Sequence, residues 1–305
     1  MTIEDLQNLL ITNAQEKTEE YTRLFHGRGG FYNAYKFLTV DSVNKVLYAA
    51  FFAADDEEEA IIAILQTFYN TEAKWQTLVV QRRYLKSAPT ELVEGELPNE
   101  TFAIENGLKY KLNFLSNQNI GFFPDMKIGR EFVQANAKGK KVLNLFSYTC
   151  AFSMAALAGG ARSVANVDMS KGALTTGREN HRLNEFDAQR SQYMPYNILK
   201  SWSRIRKAGP YDLIIIDPPS FQRGSFAATS DYEKIIRRLR ELAAEECTVL
   251  SALNAPELDT NFIKKLFQKN APDFAYVKRL DNMKTFPSDD DERSLKNLIF
   301  QKGET

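Results

Sequence analysis

The sequence predicts an α/β protein: a doubly wound sheet of seven strands with an antiparallel last strand, accompanied by a smaller N-terminal α+β domain. Three observations predict it. First, apolar runs at 142–146, 163–168, 190–195, 212–217 and 247–252 alternate with helix-forming stretches at 151–158, 170–183, 198–206, 229–244 and 257–269. Such alternation implies a parallel sheet with helices on both faces. Second, the runs 274–280 and 295–300 are joined only by Asn282 to Arg293, with no helical pattern, so the seventh strand is expected to enter antiparallel. Third, Lys141 to Ser153 reads as a buried strand, a tight loop and a helix start, and the next strand ends in Asp168. An acid about 20 residues past such a loop is the geometry of a nucleoside-binding sheet, where the carboxylate accepts hydrogen bonds from both ribose hydroxyls.

The N-terminal domain is expected over 1–115 and the larger one over 116–305. Residues 3–24 read as an amphipathic helix with Ile3, Leu6, Leu9, Leu10 and Ile11 along one side. Arg23 to Tyr32 reads as a loop in which Gly27, Gly29 and Gly30 permit close backbone approach. Its arginines suit an anion or nucleic-acid contact, or merely solvate an interdomain turn. Two strands are expected in 37–54 around a turn at 41–44, then a helix over 55–69 with acids at its N-terminus and a strand over 78–84. Residues 87–101 read as a polar link. Residues 102–114 alternate apolar and polar around Asn106-Gly107, a hairpin with a type I′ turn. Gly121 to Arg130 leads into a helix ending near Ala137.

Composition excludes several classes. Lys and Arg total 39, as do Asp and Glu, so no global basic field announces nucleic acid, although a local patch would suffice. Two cysteines and two histidines without ligand spacing argue against a metal. No signal peptide or bilayer-length apolar run is visible, so a cytoplasmic protein without membrane contact is expected.

The fourth strand ends in Asp217-Pro218-Pro219-Ser220-Phe221. The prolines stop the strand and stiffen the loop. Carbonyls held at fixed angles at the ligand crevice can accept hydrogen bonds from an exocyclic amine, and Phe221 can stack on a flat base. A planar, nitrogen-rich acceptor in line with a methyl donor suits this loop.

These residues carry a resemblance. Gly121 to Asp125, Asn144 to Thr149, Asp168 to Lys171, Arg178 to Asn180, Asp217 to Phe221 and Asp291 to Lys296 together resemble the class I, Rossmann-like S-adenosylmethionine-dependent methyltransferases of the bacterial large-subunit ribosomal RNA group, which includes cytosine-C5 and guanine-N7 enzymes. A form without a PUA-like domain is implied. The resemblance implies S-adenosylmethionine as cofactor, with S-adenosylhomocysteine as product, and ribosomal RNA as partner. A homodimer is left open. It further implies that Asn144, Ser147, Tyr148 and Thr149 wrap the methionine part, that Asp168 holds the ribose, and that Met169 and Asn197 lie at the adenine. Phe122, Asp125 and Lys127 would close the pocket, and Asp217, Pro218, Pro219 and Phe221 would position the base.

Three departures stand out. Cys150 replaces the usual Gly at the tightest part of the loop, although a side chain there disfavours positive φ. Asn197 replaces the usual acid. Asn254 follows the fifth strand, a region where the cytosine-C5 members carry a nucleophilic Cys. Pyrimidine-C5 methylation needs a thiolate; Cys247 reads as a buried hydrophobe and Cys150 sits on the cofactor side. Transfer to a nucleobase nitrogen without a covalent cysteine intermediate is therefore expected. A small-molecule or protein acceptor stays open, as does a non-catalytic RNA- or protein-binding module with a degenerate cofactor site. A nicotinamide dehydrogenase is disfavoured, since no Gly-x-Gly-x-x-Gly opens the first helix.

Overall fold

The computed structural model describes residues 1–15, 18–115, 118–219, 221–222 and 226–303. The chain divides into two units, Met1–Pro124 with Met283–Asp290, and Asp125–Asn282 with Asp291–Thr305. Residues 283–290, expected in the larger domain from their place in sequence, thus pack with the first unit.

In unit one, α1 (Ile3–Asn13) starts at a capping box: Asp5 N donates to Thr2 Oγ1 at 3.2 Å and Thr2 N to Asp5 Oδ2 at 2.7 Å. The helix ends far short of residue 24, because its apolar face runs out after the buried Leu6 and Leu10. What was expected as its end and the following loop is β1 (Thr22–His26), which pairs antiparallel with β2 (Leu38–Val43) and buries Leu24 and Phe25. The β2–β3 turn falls at Asn44-Lys45, not 41–44, since Ser42 and Val43 are buried ladder residues facing β3 (Val46–Phe51). α2 (Glu58–Glu72) then returns the chain to β4 (Thr77–Arg82), parallel to β3. Within the expected polar link lies β5 (Thr90–Gly95), a charged edge strand antiparallel to β4. The sheet order is β1-β2-β3-β4-β5. Its core joins Leu47, Phe51, Leu78 and Val80 to Ile61, Leu65 and Phe68 of α2. β6 (Phe102–Glu105) and β7 (Leu108–Lys111) form the expected hairpin; Asn106 and Gly107 have φ of 51° and 77°, as a type I′ turn requires.

Unit two begins with α3 (Lys127–Asn136) and β8 (Lys141–Leu145). α4 (Ala151–Ala158), β9 (Ser163–Val167), α5 (Lys171–Leu183) and β10 (Ser191–Met194) follow. Next come α6 (Trp202–Lys207), β11 (Tyr211–Ile216) and the two-residue strands β12 (Phe221–Gln222) and β13 (Phe226–Ala227). The expected helix 229–244 is broken into α7 (Ala228–Ile236) and α8 (Leu239–Leu242) before β14 (Ala243–Leu253). α9 (Thr260–Asn270), β15 (Ala275–Leu280) and β16 (Lys296–Lys302) complete it.

The seven-stranded sheet has the order β10-β9-β8-β11-β14-β16-β15, and β16 is antiparallel to both neighbours. The order reverses between β8 and β11, which opens a crevice at their carboxyl ends. Leu143, Leu145, Ile214 and Ile216 point to the face covered by α6, α7 and α9. The segment before β16 is pinned by Glu292, which accepts from Thr260 N at 2.6 Å, Thr260 Oγ1 at 2.9 Å and Arg279 Nη1 at 2.9 Å. Fully buried Lys296 donates to the carbonyls of Glu292 (2.5 Å) and Ser294 (2.9 Å). Among the described residues no helix is long and apolar enough to cross a membrane.

Candidate functional site

The crevice edge is made by the β8–α4 loop, the tip of β9 and the segment after β11, all in unit two. Phe146, Tyr148 and Cys150 have φ of 58°, 46° and 65°, so every second residue of the first loop is left-handed without being glycine. Each costs on the order of 1–3 kcal/mol and persists only where neighbours hold it. Here Cys150 N donates to Ser147 O at 2.6 Å, Ser147 N to Val167 O at 3.1 Å, and Asn180 Nδ2 to Thr149 O at 2.9 Å. Cys150 therefore does adopt the conformation its side chain disfavours. Its room comes from Gly177 of α5, where a Cβ would meet Cys150 Sγ at 2.5 Å.

Asp168 closes the same loop from below. Its Oδ2 accepts from Tyr148 N at 2.9 Å and its Oδ1 from Ser170 N at 2.8 Å. Each oxygen keeps a further lone pair for a ligand. Burial holds its carboxyl above the usual carboxylate range, against those two donors. Met169 beside it is 48 % exposed. Asn197 is half-buried just past β10, where its carbonyl accepts from Lys200 N at 3.1 Å.

Asn144 is buried and turned under α4: its Nδ2 donates to Ser153 Oγ at 2.8 Å, and Ser153 in turn donates to Asn166 Oδ1. Asn144 Oδ1 and Ser147 Oγ are buried with no hydrogen-bond partner. Unmatched acceptors of this kind are uncommon in folded proteins and suit a polar ligand.

On the other side of the crevice, Asp217 comes directly after β11 and is followed by buried Pro218 and half-buried Pro219. Burial first, and then the like charge of Asp125, push its carboxyl up to about 7, while Arg130 opposes the shift. Lys127 opens α3 in the same unit as Asp125. Phe122 belongs to unit one, packed between Tyr110 (4.7 Å) and Tyr21 (5.7 Å). The backbone of Phe221 is in β12; its side chain and all of Ser220 lie outside the described residues.

Both thiols are buried, and burial pushes each up to about 12. Cys247 packs in the core of the sheet. Among the described residues no cluster of His, Cys, Asp or Glu could hold a metal ion. Residues absent from the sequence-based site are Ser153, Asn166, Gly177 and Arg130. Asn144 and Asn166 are polar positions inside apolar strands, a readable signal of a buried network. Gly177 and Arg130 sit in ordinary helix sequence and gave none.

The chain as a whole has relatives. The chain is 34 % identical over 190 residues to the ribosomal RNA large subunit methyltransferase I of Aeromonas salmonicida, covering 60 % of this chain and 48 % of that one. It is 33 % identical over 200 residues to the ribosomal RNA large subunit methyltransferase K/L of a Shewanella species, covering 62 % and 27 %. The chain thus spans half or less of the length of these relatives. Among solved structures, SMU.776, a putative methyltransferase complexed with SAH, superposes with a TM-score of 0.86 at 25 % identity, covering 99 % of this chain and 82 % of that one. The family match runs through residues 22–301, across both units, and with it the sheet order and the loop-to-acid geometry have one source: the chain belongs to the S-adenosylmethionine-dependent methyltransferase family.

Proposed function

We propose that this protein methylates a nucleobase nitrogen in RNA, with ribosomal RNA as the class suggested by its relatives, and without a cysteine adduct. The observation that carries the reading is Asp217: a carboxylate held near neutrality at the crevice edge, followed by two prolines, across from the Asp168 loop. S-adenosylmethionine supplies an electrophilic methyl group on a sulfonium. The residues present fit it, since Ser147 Oγ and Asn144 Oδ1 are buried acceptors without partners and Asp168 has lone pairs to spare.

In this reading Asp168 takes the ribose hydroxyls, while Met169 and Asn197 border the adenine. Asn144, Ser147, Tyr148 and Thr149 cradle the methionine part, with Asp125 and Lys127 of the same unit at its rim. Pro218, Pro219 and Phe221 orient the acceptor. The ionised form of Asp217 accepts a hydrogen bond from the base nitrogen's proton and receives it as the nitrogen becomes cationic, a general-base role that suits a group titrating near 7. Both thiols are held protonated by burial, so neither offers the thiolate that carbon methylation of a pyrimidine requires.

The test has two stages. Calorimetric titration with S-adenosylmethionine and S-adenosylhomocysteine should give micromolar binding that is lost in Asp168→Ala. Labelled methyl transfer should then go to ribosomal RNA from cells lacking the gene, and not to RNA from cells carrying it. Tight cofactor binding with no transfer to any RNA, but transfer to protein or small molecules, would refute the acceptor.

A further inference from the structure

The glycine-rich turn after β1 has no part in the site above. In unit one, Arg28 lays its guanidinium over the Phe52 ring at 4.0 Å, and Arg83 lies over the same ring at 4.9 Å. Arg83 Nη2 donates to the neutral Asn119 Oδ1 at 2.8 Å. Arg23 is neutralised by buried Asp41 at 2.5 Å. Arg28 has no carboxylate partner among the described residues. Partial burial, followed by the charges of Arg83 and Arg23, lowers its pKa. Cations gathered on one aromatic ring repel each other, and a bound anion relieves that repulsion.

The turn itself is built for close approach. A Cβ on Gly27 would fall 1.8 Å from Tyr35 O, and one on Gly29 would fall 1.8 Å from Pro287 O. His26 Nδ1 lies 2.7 Å from Arg23 Nη1; arginine only donates, so the ring proton is on Nε2, a further donor. Three residues past Arg28, Phe31 is 60 % exposed and meets Tyr32 edge-on at 5.0 Å. An aromatic face left in water near the Arg28 guanidinium is the composition of single-strand nucleic-acid sites. Asp289 borders the turn, its carboxylate 2.6 Å from where a Cβ on Gly30 would lie.

We propose that Arg28, Arg83, Phe52 and Phe31 form a contact site for single-stranded RNA, with the arginines taking a phosphodiester and Phe31 stacking on a base. This rests on the RNA acceptor reading and gives unit one the task of holding the substrate strand.

The test is fluorescence anisotropy of a labelled mixed-sequence oligoribonucleotide with the full chain, across a salt series, with S-adenosylmethionine calorimetry on every variant. Arg28→Ala should weaken RNA binding by about 10-fold and reduce the slope of log affinity against log salt by about one. Phe31→Ala should weaken it by about 5- to 100-fold. Arg28→Lys should recover the salt slope but not the full affinity, since it keeps the charge and loses the planar stack. Cofactor affinity should stay at the wild-type value in all three. Wild-type RNA binding that Arg28→Ala and Phe31→Ala leave intact overturns this site and spares the acceptor reading. Loss in Arg28→Ala with Phe31→Ala at wild-type affinity marks a bare phosphate site and overturns the single-strand proposal. No RNA binding by the wild type at any salt overturns both readings.

Discussion

Gly177→Ala tests how Cys150 is accommodated. At an exposed mid-helix position, Gly to Ala stabilises by about 1 kcal/mol. Here the new Cβ would lie 2.5 Å from Cys150 Sγ and 3.1 Å from its Cβ, well inside contact distance. Overpacking of that kind costs about 1–3 kcal/mol, and the upper part of the range applies because one hydrogen bond from Asn180 and another to Asp168 leave the loop little freedom. The net effect is a loss of about 1–2 kcal/mol, or roughly 2–8 °C in the melting of a unit of this size. In a Cys150→Gly background the sulfur is gone, the third neighbour (Thr149 O at 3.4 Å) is in ordinary contact, and the same change should stabilise by about 1 kcal/mol. The double-mutant cycle should therefore show coupling of about 2–3 kcal/mol with a reversal of sign. Thermal melts of the four proteins measure it. S-adenosylmethionine affinity should fall in Gly177→Ala alone, because displacing the loop pulls Tyr148 N from Asp168. If Gly177→Ala stabilises the wild type, or couples to Cys150 by less than about 0.5 kcal/mol, the steric account is wrong.

Three further outcomes are expected. Asp168→Asn keeps the shape but loses charged acceptors, and S-adenosylmethionine affinity by calorimetry should fall at least about 10-fold, from hydrogen bonds worth roughly 1.5–3 kcal/mol each; unchanged affinity would remove Asp168 from the ribose. Asp217 holds its proton more tightly folded than unfolded, so its contribution to stability is lost as pH rises from the unfolded carboxylate value to about 7. Asp217→Asn should accordingly raise the melting temperature at pH 8, by about 2–4 kcal/mol equivalent, and leave it nearly unchanged at pH 5; equal effects at both would place the titrating group elsewhere. Partial burial opposes it, but hydrogen bonds from Thr260 and the charges of Arg279 and Lys296 hold Glu292 below the usual range. Glu292→Ala should destabilise the protein by about 1–3 kcal/mol in urea melts at pH 7 and by less at pH 4, since stability held by a depressed carboxylate is lost as pH falls.

Elements specified by local chemistry were legible. The Asn106-Gly107 turn, the run into Asp168 and the Asp-Pro-Pro end of β11 each combine a hydrophobic period with a residue that fixes φ or stops a strand. β1 and β5 were not, because their partners are distant in sequence: Leu24 and Phe25 join a strand only through β2, and the charged β5 is a strand only because β4 pairs with it. The acids Asp289 to Glu292 divide at the boundary of the units, with Glu292 tied to Thr260 and Arg279. Within the candidate site, an acid at the tip of the strand after the first loop could be anticipated from the spacing. The effect of Asp125 on Asp217, or of Gly177 on Cys150, could not, since each joins side chains from helices and strands that only the tertiary fold brings near.

The placement of β16 bears on the order in which the protein can assemble. β15 is made first, yet its neighbour in the sheet is β16, which also separates it from β14. As β15 leaves the ribosome, therefore, it has no partner to zip against. Between the two strands the chain leaves unit two, contributes Met283–Asp290 to unit one and comes back. The sheet can be completed only after the chain has passed through the other unit and returned. Nascent chains arrested before residue 296 should thus expose two open sheet edges to proteases and chaperones, and release of the next few residues should close both at once.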